Sequence, residues 1–366
     1  MSDDQWGELK KLGFEISDCL LGKNDQVVGW LCSYVPEEII HAAGFQPMRI
    51  RGEGDPIRKA DGLLHNNMCP FVRSVMDDAV EGRLGHLSGM VFANSCDAMR
   101  RLYDAWSVFL EKETIFYLDP PKSTDDLSVA YYAEQLGGFA EALNRYGPKE
   151  VNAASLARSI RVYNETRALM KEVSSLASKT LLSGHALFDI MQLATLCDRE
   201  KFNRRLGKFL DGFSGKRMEG EGVRILLAGC IIDQTDQIRL MEEAGALVVA
   251  NELCTAGRQF DSMVQEEGDP FHALAERYLK KAPCARMMNL RERIEYLVQL
   301  AEENNVDGVI YHIIKFCDHF MWDLPVVRDA FKAKGIPVLD VEGEYVKGTF
   351  GPLQTRIQAF VESLRD

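Results

Sequence analysis

The chain has 366 residues and a formal net charge of −12, with 46% hydrophobic and 27% charged residues; this is room for two or three domains and the balance of an ordinary soluble globular protein. The acidic excess disfavours nucleic acid, which is bound by neutralising phosphates with basic residues, and leaves an anionic acyl-coenzyme A ester only local bases such as Arg49, Arg51 and Arg58. No apolar run reaches membrane-spanning length and the N-terminal MSDDQWGELKK is polar rather than signal-like, so the expected location is cytoplasmic; nine cysteines in that compartment point to metal or redox chemistry rather than disulfides.

Residues 1–22 predict a short amphipathic helix. VVGWL follows as a buried strand, then PEEIIHAAGF as a helix opened by Pro36 and closed by Gly44. PMRIRG predicts a second strand, MCPFVRSVMDDAVEG a helix, SGMVFANS a strand, DAMRRLYDAWSVFL a helix and TIFYLDPP a strand. Short apolar runs alternating with helices in this way imply a parallel βαβ sheet. From 123 to 215 apolar residues recur at three- and four-residue spacing with no strand pattern, a helical region. Alternation resumes at Val223 with VRILLAG, the helix through DQIRLMEEAG, ALVVANEL, helices near AERYLKK and RERIEYLVQLAEENN, DGVIYHII, the helix DLPVVRDAFKAKG, IPVLDVEG and a last helix TRIQAFVESL. The expected organisation is therefore an α/β unit over 1–122, a helical region over 123–215 and a second α/β unit over 216–366, with the ligand-bearing turns facing each other across a cleft.

Five cysteines, Cys32, Cys96, Cys230, Cys254 and Cys317, each stand just after a predicted strand, the end at which open α/β sheets collect ligands. Cys69 and Cys284 stand in turn-like contexts, and only Cys19 and Cys197 have helical surroundings. A single buried cysteine at a strand end reads most simply as a small hydrophobe; seven at such places read better as soft thiolate ligands for iron–sulfur or zinc. There is no CxxC pair, phosphate-binding loop, GxGxxG or HExxH. His312 and His319 bracket Cys317 and read as core or solvent-facing residues; Glu37, Glu38 and His41 share one helix face, read as solvated, so no catalytic acid or base is assigned.

GWLCSYVPEEIIHAAGFQPMRIRG, CPFVRS, NSCDAMRRLYDAW, ELCTAGRQF, DGVIYHIIKFCD and GIPVLDVEGEY, in this order over residues 27–364, together resemble the 2-hydroxyacyl-CoA dehydratase D-component and benzoyl-CoA reductase family. The resemblance implies two flavodoxin-like parallel-sheet domains with a helical region and an oxygen-sensitive iron–sulfur cluster in the cleft between them, reduced by a separate ATP-hydrolysing reductase. The family's recurring thiolates match Cys69, Cys96 and Cys317. The extra cysteines and the YVPEE motif are similar to the double-cubane cluster proteins of the family, which implies a six-thiolate [8Fe-9S] cluster; Cys32, Cys254 and Cys284 are expected to complete the six, with Cys230 as the alternative to one of them. The expected function is an iron–sulfur oxidoreductase, a homodimer or half of a paralogous pair, acting on a small substrate. The alternative is a [4Fe-4S] subunit of a 2-hydroxyacyl-CoA dehydratase or benzoyl-CoA reductase using ketyl-radical chemistry.

Overall fold

The computed structural model describes residues 6–16, 19–20, 25–53, 56–110, 114–215, 222–345 and 351–365. The described residues form two four-stranded sheets. The first contains β1 (Val27–Trp30), β2 (Gln46–Arg49), β3 (Gly89–Ala93) and β4 (Ile115–Leu118); the second contains β5 (Val223–Gly229), β6 (Ala246–Glu252), β7 (Gly308–Ile314) and β8 (Val338–Gly343). All pairings are parallel, and the orders are β2-β1-β3-β4 and β6-β5-β7-β8. The two sheets thus repeat one flavodoxin-like order, each reversing direction between its first and third strands, the place where such sheets bind ligands.

Their central strands read as continuous apolar runs because both faces are covered: β1, β3 and β7 are buried at every residue. The covering helices, in chain order, are α1 (Gly7–Lys11), α2 (Glu37–Ala42), α3 (Pro70–Val80), α4 (Asp97–Phe109), α5 (Asp126–Asn144), α6 (Ala153–Ser178), α7 (Gly184–Ala194), α8 (Arg199–Gly212), α9 (Thr235–Glu243), α10 (Gly257–Phe260), α11 (Pro270–Lys280), α12 (Leu290–Glu303), α13 (Asp318–Ala333) and α14 (Gly351–Ser363). One apolar cluster runs from Trp30 and Val91 in the first sheet to Leu226 and Tyr311 in the second, so the sheets share a core across the cleft.

The helical middle, α5–α8, clamps the two halves together. Helix α6, opened by a capping box between Asn152 and Ser155, packs on α2 of the first half and on β6 of the second, and α5 packs on α11. Here the structure corrects the expected solvated face: Glu37 and Glu38 are 1% and 0% exposed. Glu38 is ion-paired to Arg167 of α6 and accepts from Tyr278 Oη at 2.8 Å, while Glu37 takes Arg199 of α8 at 2.6 Å and Gln259 at 2.8 Å. Buried carboxylates require such partners, and removing one partner from a buried pair costs about 3–5 kcal/mol. His41, half-buried, is hydrogen-bonded to Ser159 at 2.9 Å and serves the same packing.

Two further differences concern the termini of elements. The N-terminal helix covers only Gly7–Lys11 among the described residues and stops before Gly13, whose φ of +85° suits glycine; the rest of the predicted 1–22 helix is turn, irregular, bridged or outside the described residues. Cys19 and Cys197 are not in helices: the bridge Leu20–Cys197 brings their sulfurs to 2.7 Å, deep in the second apolar cluster. Helix α13 begins at Asp318, five residues before the predicted DLPVVRDAF segment, and carries Pro325 inside it.

Candidate metal centre

Because both sheets have the same order, the turns after β1 and β3 flank one reversal point and those after β5 and β7 flank the other. Cys32 and Cys96 occupy the first pair of turns, Cys230 and Cys317 the second. Local sequence shapes these turns. Gly229, at φ +119°, precedes Cys230, and a Cβ there would lie 2.1 Å from the His312 carbonyl oxygen. Phe316 precedes Cys317 in the left-handed region at φ +60°, a strained conformation for a bulky residue and one that clusters at functional sites.

The two sets of turns enclose one cavity of about 160 Å³. Its wall contains Cys32, Cys69, Cys96, Cys254, Cys284 and Cys317, all six of the sequence-selected cysteines. Cys230 is not in the wall; it lies fully buried behind Cys317, sulfur to sulfur 3.7 Å. Cys19 and Cys197 are elsewhere. Cys69, Cys96 and Cys317 are the N-cap residues of α3, α4 and α13, so three helix N-termini, with their partial positive charge and free N–H groups, meet at the cavity.

The remaining charge comes from arginines and lysines, of which the sequence reading named only Arg49, as a local base for an anionic ester. Arg286 donates from Nη1 to Cys284 Sγ and from Nη2 to Cys317 Sγ, each at 3.5 Å. Arg258 reaches Cys284 Sγ and Arg49 reaches Cys254 Sγ, also at 3.5 Å. Lys281 is buried over the rings of Tyr34 and Tyr278 and bonded to the Ser33 carbonyl; Lys122 holds the carbonyls of Asn94 and Ser95 at 2.6 and 3.1 Å. The one available signal was proximity in sequence: Arg286 is two residues after Cys284, and Arg258 four after Cys254.

The thiols respond unequally. The contact with Cys230, aided by Arg286, brings Cys317 down to about 6. Cys284 is pulled up by burial, but Arg258, Arg286 and Arg293 outweigh it and hold the thiol below its usual range. Burial, with Cys317 and Cys96 nearby, pushes Cys69 up to about 12, and burial also raises Cys254. Cys230 is raised by burial and by Cys317. A low-pKa thiol is the form that binds metal.

This donor set fits an iron–sulfur cluster. Among the described residues no three of His, Cys, Asp and Glu are grouped to hold one metal ion; the thiols ring a space instead of converging on a point. A tetrahedral ion with Zn–S bonds of about 2.3 Å needs convergence, whereas a cluster takes each thiolate on a separate iron. Three buried polar atoms of residues in the cavity wall, Arg49 Nε, Ser95 Oγ and Arg286 Nε, have no partner among the described residues, which leaves donors for the sulfides of a cluster. His312, by contrast, is 2% exposed on β7 and lowered to about 4 by burial, a core residue; His319 is half-buried in the cavity wall and is held low by burial, Arg286 and Lys122.

The chain matches the family model described as 2-hydroxyglutaryl-CoA dehydratase, D-component, over residues 32–364. It belongs to that family. It is 26% identical over 343 residues to the beta subunit of (R)-phenyllactyl-CoA dehydratase from Clostridium sporogenes, covering 93% of this chain and 92% of the other. Against one benzoyl-CoA reductase subunit of Thauera aromatica the identity is 25% over 351 residues, 93% and 91% of the two chains. A stretch of 110 residues is 30% identical to a different subunit of that same reductase, 30% of this chain and 25% of the other. No described helix is long and apolar enough to cross a membrane.

Proposed function

We propose that this chain is a cytoplasmic iron–sulfur redox enzyme carrying a double-cubane [8Fe-9S] cluster, reduced by a separate ATP-dependent reductase and reducing a small substrate. The observation that carries this reading is that six thiols from both sheets line a single cavity. Cys69, Cys96 and Cys317 would hold one cube and Cys32, Cys254 and Cys284 the other. When bound, such a cluster supplies low-potential single electrons.

The protein's own residues do the rest. Arg49, Arg258 and Arg286 offset the negative charge of the thiolates they touch. Phe71, Val72, Met99 and Ile231 keep the wall apolar around the sulfurs, while exposed Asn67, Asp97, Phe316 and Asp318 mark the side open to a substrate. Uncharged His319 is the titratable ring in the wall. The chain has no phosphate-binding loop motif, so ATP hydrolysis belongs to the reductase. Similarity to two different subunits of one reductase supports a partner of the same fold, a second copy of this chain or a paralogue.

The relatives' names favour a second reading: a [4Fe-4S] subunit of a 2-hydroxyacyl-CoA dehydratase or benzoyl-CoA reductase, with only Cys69, Cys96 and Cys317 as ligands. Iron and sulfide analysis of anaerobically purified protein, with an electron paramagnetic resonance spectrum, decides between them. About eight irons per chain is the expected result, four from each cube. A reproducible value near four overturns the double-cubane reading.

A further inference from the structure

Four buried arginines of this protein are matched by carboxylates: Arg258 pairs with Glu252, Arg293 with Glu252 and Asp323, Arg199 with Glu37, and Arg167 with Glu38. Arg49, Arg277 and Lys281 donate to backbone carbonyls instead. Arg286 differs from both groups. Among the described residues it has no carboxylate partner; its two terminal nitrogens go to the sulfurs of Cys284 and Cys317, and its Nε is buried without a partner. A part-buried guanidinium without a carboxylate needs another counter-charge. It has to come from the cavity side, from the thiolates that Arg286 touches and the group they hold.

Its position is also fixed from behind. The guanidinium sits 5.3 Å from the centre of the Phe320 ring, which Arg258 and Arg293 approach at 5.6 and 5.3 Å. The loop carrying it is closed by Met287 N–H donating to the Cys284 carbonyl and Met288 N–H to the Lys122 carbonyl, both at 2.9 Å. The two sulfurs it reaches come from different elements, Cys317 from the start of α13 and Cys284 from the turn after α11. In the proposed six-thiolate assignment, on which this inference rests, they belong to different triplets.

We propose that Arg286 is the positioning residue of the centre: one guanidinium fork that spans the two thiolate triplets and favours the more negatively charged, reduced state of the group they hold. Reduction adds negative charge, and donors to ligand sulfur together with a fixed positive charge stabilise that form and raise the potential. A planar fork reaches two sulfurs at once, which a compact ammonium does not.

The test is a redox titration, followed by electron paramagnetic resonance, of anaerobically purified Arg286→Gln and Arg286→Lys beside the unsubstituted protein, with iron counted in each. Arg286→Gln is expected to keep its iron and to lose reduced protein at a fixed potential at least tenfold in the reduced-to-oxidised ratio, a shift of about 59 mV to more negative values for a one-electron couple. Arg286→Lys recovers part of that shift. An unchanged midpoint in an iron-replete Arg286→Gln overturns the proposal. If Arg286→Gln sheds iron, the same titration on Arg286→Lys decides: a negative shift supports the fork, an unchanged midpoint rejects it. The iron count of the unsubstituted protein is read separately, so four irons per chain would sink the double-cubane reading, whereas a null shift at eight irons would sink only the role of Arg286.

Discussion

The two walls of the cavity hold their thiols by different means. On the first-sheet side, Cys32, Cys69 and Cys96 receive no guanidinium hydrogen bond among the described residues; two of them cap helices α3 and α4, and burial leaves Cys69 as high as about 12. On the second-sheet side every cavity sulfur takes an arginine: Arg49 on Cys254, Arg258 and Arg286 on Cys284, Arg286 on Cys317, the last at about 6. Cys317 and Cys284 of the second wall are therefore readied as thiolates before any group binds, whereas burial keeps Cys254 of that wall and Cys69 of the first protonated until metal displaces the proton. Each proposed triplet draws on both walls, Cys69 and Cys96 with Cys317, Cys32 with Cys254 and Cys284. Cluster and cleft would then stabilise one another.

The largest effect that can break this comparison is loss of a thiol from the triplet matched to the whole family. Cys69→Ser and Cys317→Ser, one from each wall, are both expected to lose most of the bound iron, because a hydroxyl is a harder and poorer ligand than thiolate. Cys19→Ser and Cys197→Ser, remote from the cavity, should keep it. Full iron and colour in Cys317→Ser would mean that Cys317 is not a ligand of the cluster.

The sequence carried the fold because its central strands are covered on both faces and show as bare apolar runs, and the half-exposed edge strands β2, β4 and β8 are short runs between helices; all eight were found within a few residues. The site was legible for a related reason. Thiols placed where strands end are carried to the carboxyl edges of the sheets, and Cys32, Cys96, Cys254 and Cys317 line one cavity there with Cys69 and Cys284 from turns, although Cys230, also at a strand end, stands outside its wall. What could not be read is pairing between residues far apart in the chain. Glu37 and Glu38 look like a solvated helix face until Arg199 and Arg167, 162 and 129 residues later, arrive from α8 and α6. Arg286 and Arg258 give no sign of the sulfurs of Cys317 and Cys284 that they reach 31 and 26 residues away, and Cys19 looks helical until the Leu20–Cys197 bridge sets the two sulfurs together.

A smaller and more selective effect is expected inside the second-sheet wall. Cys254→Ala removes a cavity thiol and its arginine contact, so iron should fall toward half while Cys69, Cys96 and Cys317 keep their cube. Cys230→Ala removes a thiol that stands behind the wall, leaves a small void worth about 1 kcal/mol, and should retain the full iron content. Iron and sulfide assays on the two variants, prepared side by side without oxygen, check both outcomes. Halved iron in Cys230→Ala with full iron in Cys254→Ala would exchange their roles.

The finest distinction is between protonation states, and it is read on protein stripped of metal, with circular dichroism confirming that the fold persists. A thiol reacts with an alkylating reagent only as thiolate, and the thiolate fraction grows as pH rises through the pKa. Cys317, at about 6, is then about nine-tenths thiolate at neutral pH, whereas Cys69, at about 12, is almost wholly protonated until far above it. Mass-spectrometric mapping after brief alkylation between pH 5 and 9 should show Cys317 modified with an inflection near 6, and Cys69 unmodified throughout. The sulfur contact with Cys230 is the leading cause of the low value, so Cys230→Ala should move the Cys317 inflection upward while leaving Cys69 silent. If both thiols instead label together, near the ordinary range of a free cysteine, the asymmetry between Cys317 and Cys69 drawn from Cys230, Arg286 and burial is wrong.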